Sequence, residues 1–183
     1  MILKDNFYII TGGPGAGKTT LIEELQRMGI ECVPEVAREI IRHQVETNGN
    51  ALPWADTKKY SELMAGYSVR DFIRLSVSDK IHIFDRGIPD TYGYEMLMNF
   101  DINPVLQDAV RQYRYNKTVF ILPPWKEIYH TDNERKQDFD NAVETYCVMK
   151  KAYENIGYCP VTVPKLAVAE RAAFVMSVIE ETK

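Results

Sequence analysis

Residues 12–20, GGPGAGKTT, constrain this chain more than any other stretch of it. They fit the pattern G-x-x-x-x-G-K-[ST], and they lead from an apolar segment, FYIIT, into a helical pattern that puts Leu21 and Leu25 on one face. Glycines let the backbone wrap tightly with its N–H groups pointing at a phosphate, and the helix N-terminus adds positive charge. A chance match is rarely preceded by a strand and followed by a helix, so the sequence predicts a phosphate-binding loop (P-loop).

Each side chain at the end of this loop has an expected role. Lys18 is expected to reach the outer phosphates of a nucleoside triphosphate, and the Thr19 hydroxyl is expected to hold Mg²⁺. Thr20 lies one residue deeper in the helix, where it would bond an inner phosphate. We therefore expect ATP and Mg²⁺ as cofactors. The residues expected to bind the nucleotide are Gly13, Pro14, Gly15, Ala16, Gly17, Lys18, Thr19 and Thr20.

Apolar strand candidates alternate with helical patterns along the whole chain. The strand candidates are FYIIT, ECVP, KIHIFD, KTVFIL and PVTVP. Strands that are apolar throughout, rather than in alternation, are typical of a parallel sheet that is covered on both faces. The sequence thus predicts an α/β fold, with a five-stranded parallel sheet flanked by helices, in a single domain over residues 1–183.

Composition narrows the expected partners. The formal net charge of −4 argues against nucleic-acid binding as the main task. The sequence shows neither an apolar run long enough to span a membrane nor the pattern of a signal peptide. The cysteines are three in number and lack metal-ligand spacing, which favours reduced thiols, with Cys32 and Cys147 expected in the core. We expect a cytoplasmic protein with a small-molecule partner, whereas the oligomeric state is not predicted.

Three classes of P-loop protein are compatible with the loop alone. A GTPase would carry N-K-x-D after a strand, but NKTV at residues 116–119 precedes its strand and lacks the aspartate. A mechanochemical or regulatory ATPase would usually follow its strand-end aspartate with a glutamate, and here Asp85 is followed by Arg86. A small-molecule kinase needs a carboxylate facing the acceptor hydroxyl, positive charge around the moving phosphate, and a cover that excludes water.

The sequence offers a candidate for each of these kinase requirements, so the kinase interpretation is favoured. We predict a phosphotransferase that moves the γ-phosphate of ATP to a small nucleoside-like or vitamin-like acceptor. The alternative is a nucleoside triphosphatase, or a nucleotide-gated regulatory or binding module without such an acceptor.

Glu35 and Arg38 form the first candidate group. Glu35 follows the second strand candidate, at the sheet edge where ligands of open α/β sheets bind. It is expected to accept the proton of the acceptor hydroxyl, while Arg38 binds a polar group of the acceptor. The alternative is an exposed salt bridge across one helical turn.

Asp85 and Arg86 form the second group, at the end of the strand candidate KIHIFD. Asp85 is expected to hold the metal or to contact the substrate, and Arg86 to neutralise charge on the acceptor side, with Asp90 and Tyr92 lining the pocket. A buried strand that ends at a chance aspartate is the alternative. The expected catalytic residues are Lys18, Glu35, Asp85 and Arg135; the expected substrate-binding residues are Glu35, Arg38, Asp85 and Arg86; the expected metal ligands are Thr19 and Asp85.

Two segments are expected to cover the site. An acceptor-binding insert is predicted over about 48–76, where Trp54 and Tyr60 either stack on a ring of the acceptor or pack the insert against the sheet. A lid is predicted over about 123–137, with Arg135 as its phosphate-binding arginine. A solvated junction between loop and helix is the alternative for this polar stretch.

The motifs GGPGAGKTT, PEVARE, FDRGIPDT, NERK and VPKLAVAER, in this order, resemble those of P-loop kinases of the nucleoside and nucleotide kinase group. The chain is similar to small AAA-type ATPase or kinase domains and to the nicotinamide riboside kinase part of NAD-metabolism regulators. This resemblance implies the three-layer P-loop NTPase fold, with adenine near the loop at residues 164–168. It also implies an acceptor held between Glu35, Arg38 and Asp85.

Overall fold

The computed structural model describes residues 1–129 and 139–182. The strands in these residues are β1 (Ile2–Lys4), β2 (Phe7–Gly12), β3 (Glu31–Val33), β4 (His82–Asp85), β5 (Tyr113–Tyr115), β6 (Thr118–Leu122) and β7 (Cys159–Thr162). The α-helices are α1 (Lys18–Arg27), α2 (Val36–Glu46), α3 (Thr57–Leu75), α4 (Ile88–Leu97), α5 (Pro104–Gln112), α6 (Phe139–Asn155) and α7 (Val168–Glu181). A short 3₁₀ turn, Lys126–Ile128, follows β6.

The main sheet has five parallel strands in the order β3-β4-β2-β6-β7. The P-loop strand β2 is central, and all six of its residues are buried. In its register with β4, Ile10 lies opposite Asp85, and in its register with β6, Gly12 lies opposite Leu122. The P-loop, the end of β4 and the segment after β6 therefore meet at the carboxyl edge of the sheet, which confirms the predicted α/β architecture.

The two faces of the sheet carry separate apolar cores. Tyr8 and Ile10 point to one face and pack with apolar residues of α1 and α7. Phe7 and Ile9 point to the other face, where they pack with an aromatic-rich cluster that includes Phe72 of α3. Because successive strand residues alternate between faces, a strand covered by helices on both sides has to be apolar throughout. That requirement explains the pattern FYII.

A second, two-stranded sheet pairs β1 with β5 in parallel, with Ile2 opposite Tyr113. The sequence did not predict this sheet, whose strand β5 follows directly where helix α5 ends at Gln112. Strands of three residues are too short to show a period-2 pattern. Their pairing joins segments more than a hundred residues apart, which only the tertiary fold specifies.

Two further features of the described residues bear on the sequence predictions. Cys32 is half-buried, and burial raises the pKa of its thiol to about 11, but Cys147 is exposed, so the core position predicted for Cys147 is wrong. No helix in residues 1–129 and 139–182 is both long and apolar enough to cross a membrane.

Candidate active site

The P-loop joins the central strand β2 to α1 at the carboxyl edge of the sheet. Gly15 and Gly17 have φ angles of 72° and 80°, in the left-handed region that favours glycine. A Cβ atom at Gly15 would lie 2.5 Å from the ring of Tyr129, so the loop also needs glycine there for space. Helix α1 begins at Lys18, and its first N–H groups are thus available to an anion at the loop.

Lys18 connects the P-loop to the two predicted acidic residues. It is only 8% exposed, and its Nζ contacts Oδ1 of Asp85 and lies 3.7 Å from Oε2 of Glu35. Thr19 and Thr20, the next two residues of α1, are exposed. The structure thus brings together three of the four predicted catalytic residues; the fourth, Arg135, lies outside the described residues.

Arg86 crosses the site immediately after β4. Its Nε donates to Oε1 of Glu35 at 2.7 Å, and its Nη2 donates to the carbonyl oxygen of Gly12 at 3.0 Å. Its Nη1 lies 3.3 Å from Oδ1 of Asp90. The φ angle of Arg86 is 69°, a left-handed value that costs about 1–2 kcal/mol for a residue with a Cβ. These bonds hold the strained backbone, as is common where a side chain has to be aimed at a ligand.

Neighbouring charges determine the protonation states of Arg86 and Glu35. Burial acts to lower the pKa of Arg86, but the negative charges of Glu35, Asp90 and Asp85 outweigh it and raise that pKa. Burial acts to raise the pKa of Glu35, but the charges of Arg86 and Lys18 outweigh it and lower that pKa below the usual 4.5. Glu35 is therefore an ionised carboxylate at neutral pH, held in place by a permanent cation.

Asp90 has a structural role in addition to its predicted position at the pocket. Its Oδ2 accepts from the backbone N–H of Gly87 at 2.8 Å and from the hydroxyl of Tyr153 at 2.5 Å, and its Oδ1 accepts from Thr11. Asp90 thus joins the start of α4 to the P-loop strand and to α6. It still borders a cavity, as predicted, but Tyr92 packs against the aromatic-rich cluster instead, so its predicted position in the pocket is wrong.

A cavity of about 680 Å³ opens above the P-loop. One side is formed by the loop from Gly13 to Thr20, with Glu35 and Arg86 at one end. A second side is formed by Trp125, Ile128 and α7 with the residues just before it, which include the loop for which the resemblance implies adenine. The lining residues on that side are Trp125, Ile128, Leu166, Ala167, Val168 and Arg171.

A smaller cavity of about 260 Å³ adjoins the first one and shares Pro14, Glu35 and Arg86 with it. Its other walls come from helices α2, α3, α4 and α6. Tyr60 and Tyr94 form an aromatic corner, with their ring centroids 5.8 Å apart and the rings edge to face. The remaining lining is mainly apolar, with a few polar groups: Val36, Ala37, Met64, Ser68, Gly87, Asp90, Thr91, Leu97, Met98, Thr145 and Met149.

Some predicted residues lie at the margin of these cavities. The side chain of Arg38 is 71% exposed, and its Nε lies 4.0 Å from Oε2 of Glu35, so it borders the larger cavity as a loose surface partner. Trp54 is 68% exposed and borders neither cavity, whereas Tyr60 is buried and lines the smaller one. Of the two aromatic residues in the predicted insert, the structure therefore brings only Tyr60 to the site. A separate cavity of about 530 Å³ lies between α3 and α5. Within the part of the chain that the structure describes, none of the residues predicted to be catalytic, substrate-binding or metal-binding lines it.

Thr19 and Asp85 would suit Mg²⁺, because this ion usually takes one or two protein oxygens and completes its shell with phosphate oxygens and water. Thr19 follows Lys18 in the sequence, and Asp85 contacts the side chain of Lys18. The sequence did not identify Arg171 and Trp125 as site residues. A signal for Arg171 existed, because an arginine occupies a position of the apolar stripe formed by Val168, Ala172 and Val175.

Comparisons with known proteins agree with this architecture. A family model described as an AAA domain matches residues 7–171. A search of curated proteins found no match. Among solved structures, the NadR protein in complex with NR is similar with a TM-score of 0.71 and 16% identity, over 97% of this chain and 50% of the NadR chain. This chain therefore spans half the length of that protein.

Two kinase structures share the fold over nearly their whole length. Shikimate kinase from Acinetobacter baumannii, in complex with shikimate, has a TM-score of 0.54 and 14% identity, over 97% of this chain and 94% of its own. Deoxyadenosine kinase from M. mycoides, with dCMP and dCDP bound as products, has a TM-score of 0.59 and 17% identity, over 97% and 100%. At these identities the likeness concerns the fold.

Proposed function

The chain belongs to the AAA domain family whose model it matches, and we propose that it is a P-loop kinase that transfers the γ-phosphate of ATP to a small acceptor alcohol. One observation carries the proposal. A cavity above the P-loop and a second, mainly apolar cavity adjoin each other, and they share the carboxylate of Glu35 and the guanidinium of Arg86. A donor and an acceptor bound in these cavities would meet at those two groups.

The larger cavity supplies what a phosphoryl donor needs. The loop amides and the start of α1 would bind the phosphate chain, and Lys18 would exchange its present contacts with Asp85 and Glu35 for the outer phosphates. Thr19 and Asp85 would hold Mg²⁺, which neutralises the charge of the phosphates when bound. The cluster therefore places its cations where negative charge develops during transfer.

Glu35 would orient the acceptor hydroxyl. As an ionised carboxylate at the boundary of the two cavities, it accepts the hydrogen bond of a hydroxyl and directs the oxygen lone pair at the phosphorus atom. Its lowered pKa makes it a weak base, which suits phosphoryl transfer because the loose transition state demands little early proton removal. Arg86 holds this carboxylate and adds positive charge beside the transferred group.

The smaller cavity supports an acceptor of limited size with a flat or apolar part. Its volume of about 260 Å³ is below the usual range for drug-sized ligands, and an aromatic corner forms one of its walls. A nucleoside-like or vitamin-like alcohol has this combination of a ring and hydroxyl groups. The kinases of similar fold carry the names of hydroxyl-bearing substrates, shikimate and deoxyadenosine, which agrees with this class of acceptor.

Measurement of ATP turnover tests the proposal. ADP release is followed in the presence of Mg²⁺, first in water alone and then with a panel of nucleosides, nucleoside monophosphates and vitamins. The Lys18→Ala variant, purified in the same way, serves as a blank for contaminating kinases. We expect turnover that depends on one acceptor or one small group of acceptors. Equal turnover in water alone would favour the alternative, a nucleoside triphosphatase or nucleotide-gated module, which has no use for the smaller cavity.

A further inference from the structure

Arg171 is a buried cation without a counter-ion among the residues that the structure describes. It lies in the first turns of α7, is 5% exposed and lines the larger cavity. Its Nη1 donates to the carbonyl oxygen of Gly17 at 3.1 Å, and its Nη2 donates to Oγ1 of Thr20 at 3.4 Å. Its Nε is buried and lacks a hydrogen-bond acceptor within the described residues.

This arrangement is costly for a structural arginine. Burial lowers the pKa of Arg171, which shows that its surroundings disfavour the charge. Buried cations are normally paired with a carboxylate, and an unmet buried donor costs more than an ordinary hydrogen bond contributes. Arg114 provides the contrast: its guanidinium lies over the ring of Tyr158 and donates to two backbone carbonyl oxygens, and it does not line the larger cavity.

The position of Arg171 indicates which anion would satisfy it. Its guanidinium lies at the end of the P-loop, so close that a Cβ at Gly17 would lie 2.8 Å from Nη1, and it faces the ring of Trp125 at 5.6 Å. Lys18 points to the other side of the loop, towards Asp85. The hydroxyl of Thr20, which donates to the carbonyl oxygen of Gly17 at 3.0 Å, is the group expected to bind an inner phosphate, and Nη2 of Arg171 lies 3.4 Å from that hydroxyl.

We propose that Arg171 binds the α-phosphate of the nucleotide together with Thr20, while Lys18 binds the outer phosphates. An oxygen of the α-phosphate bound by Thr20 would lie within reach of the guanidinium, whose planar fork suits two-point contact with phosphate. Trp125 would then hold the guanidinium flat against the cavity wall. This inference rests on the proposed function only in requiring that the larger cavity binds a nucleotide.

Calorimetric titration with matched variants tests the assignment. Arg171→Met keeps the apolar stem and removes the charge, and Arg114→Met makes the same change at an arginine outside the site. Both are titrated with Mg·ADP and with Mg·tripolyphosphate, which has a phosphate chain but no base. For Arg171→Met we expect affinity about 10–100-fold weaker for both ligands, and for Arg114→Met affinity close to that of the wild type.

Phosphorus NMR of bound Mg·ADP distinguishes a direct contact from a distorted loop. At saturating ADP, Arg171→Met and the conservative variant Arg171→Lys should shift the α-phosphorus resonance and leave the β resonance near its wild-type position. The Lys variant keeps the charge and serves where the Met variant fails to fold. These spectra would show an altered environment at one phosphate, which a general loss of stability does not produce.

Four results are decisive. Unchanged affinity in Arg171→Met overturns the assignment, and so does weaker binding of Mg·ADP with unchanged binding of tripolyphosphate, which would mean a contact with the base. Equal shifts of the α and β resonances would overturn it in favour of a structural role in the P-loop. If the wild type itself binds neither ligand, the nucleotide site of the proposed function is wrong, which is a separate outcome.

Discussion

The two adjoining cavities of this protein differ in the parts of the chain that line them. The larger cavity is formed on one side by consecutive residues, Gly13 to Thr20, whose backbone N–H groups do most of the expected binding. The smaller cavity is formed mainly by side chains of four helices that are distant in sequence, such as Tyr60, Tyr94 and Met149. Glu35 and Arg86 belong to both.

This difference follows from what each cavity has to recognise. A phosphate chain is the same in every nucleoside triphosphate, so one backbone conformation with two left-handed glycines can bind it. An acceptor has its own shape, and a cavity of side chains can be altered by single substitutions without loss of the loop. We therefore expect substitutions in the two cavities to have separable effects.

The largest effect is expected from the removal of Lys18. Lys18→Met should weaken Mg·ATP binding about 10–100-fold and reduce turnover about 10²–10³-fold, because a buried charge-assisted contact to the phosphates is lost. Calorimetry and a turnover assay measure the two quantities. Lys80→Met, at an exposed lysine before β4 and thus at the opposite edge of the sheet, is the control. Turnover equal to that of the wild type would show that the phosphates are bound elsewhere.

Glu35→Gln should separate binding from transfer. The amide keeps the shape of the side chain but loses its charge, so it orients the acceptor hydroxyl less well. We expect affinity for Mg·ADP close to the wild-type value and transfer slower by about 10²-fold. Glu39→Gln, one turn along α2 at a carboxylate paired with Arg70, is the matched control. Normal transfer in Glu35→Gln would remove Glu35 from the reaction.

Filling the smaller cavity should affect the acceptor alone. Ser68→Leu adds volume to the buried wall of α3, and overpacking of this kind should raise the KM for the acceptor about tenfold with the affinity for Mg·ADP unchanged. Gly66→Ala, on the same helix, adds a Cβ that meets no atom within 4 Å, so its kinetics should match the wild type. A loss of nucleotide affinity in Ser68→Leu would show that the cavities are not separate.

The smallest effect is expected in the pH dependence of the free energy of unfolding, through Glu35 at the boundary between the cavities. Because the pKa of Glu35 is lower in the folded state than its usual 4.5, the ionised carboxylate stabilises the fold above that pH, and this contribution is lost as the pH falls through the lower, folded-state value. The difference in free energy of unfolding between the wild type and Glu35→Gln should therefore shrink on acidification. Urea denaturation over a pH series measures it. A constant difference would contradict the proposed charge pairing.

The same contrast explains what could be predicted from the sequence. The P-loop is contiguous, Glu35 follows the parallel strand β3, and Asp85 ends the parallel strand β4, so their meeting at one sheet edge followed from topology. Asp90 was predicted at the pocket but not as a partner of Tyr153, because a contact between residues 63 positions apart leaves no local pattern. The helical period of IPDTYGYEML alone does not show that Tyr92 points away from the site.

The remaining walls were predicted less well for the same reason. Trp54 and Tyr60 lie in one segment and looked equivalent, yet only the fold decides that one is exposed and the other buried. Arg171 was missed because an arginine in an amphipathic helix is most often a surface residue. Only its place in an apolar stripe distinguished it. The lid expected over about 123–137, and the extent of the acceptor-binding insert, stay predictions.

The destination of the labelled γ-phosphate tests the central claim most directly. With [γ-³²P]ATP, Mg²⁺ and an acceptor that stimulates turnover, the two-cavity kinase predicts that nearly all the label lost from ATP appears in the acceptor. Little should appear as inorganic phosphate, and little label should leave ATP when no acceptor is present. Label that appears as inorganic phosphate at the same rate with and without acceptors would contradict the account.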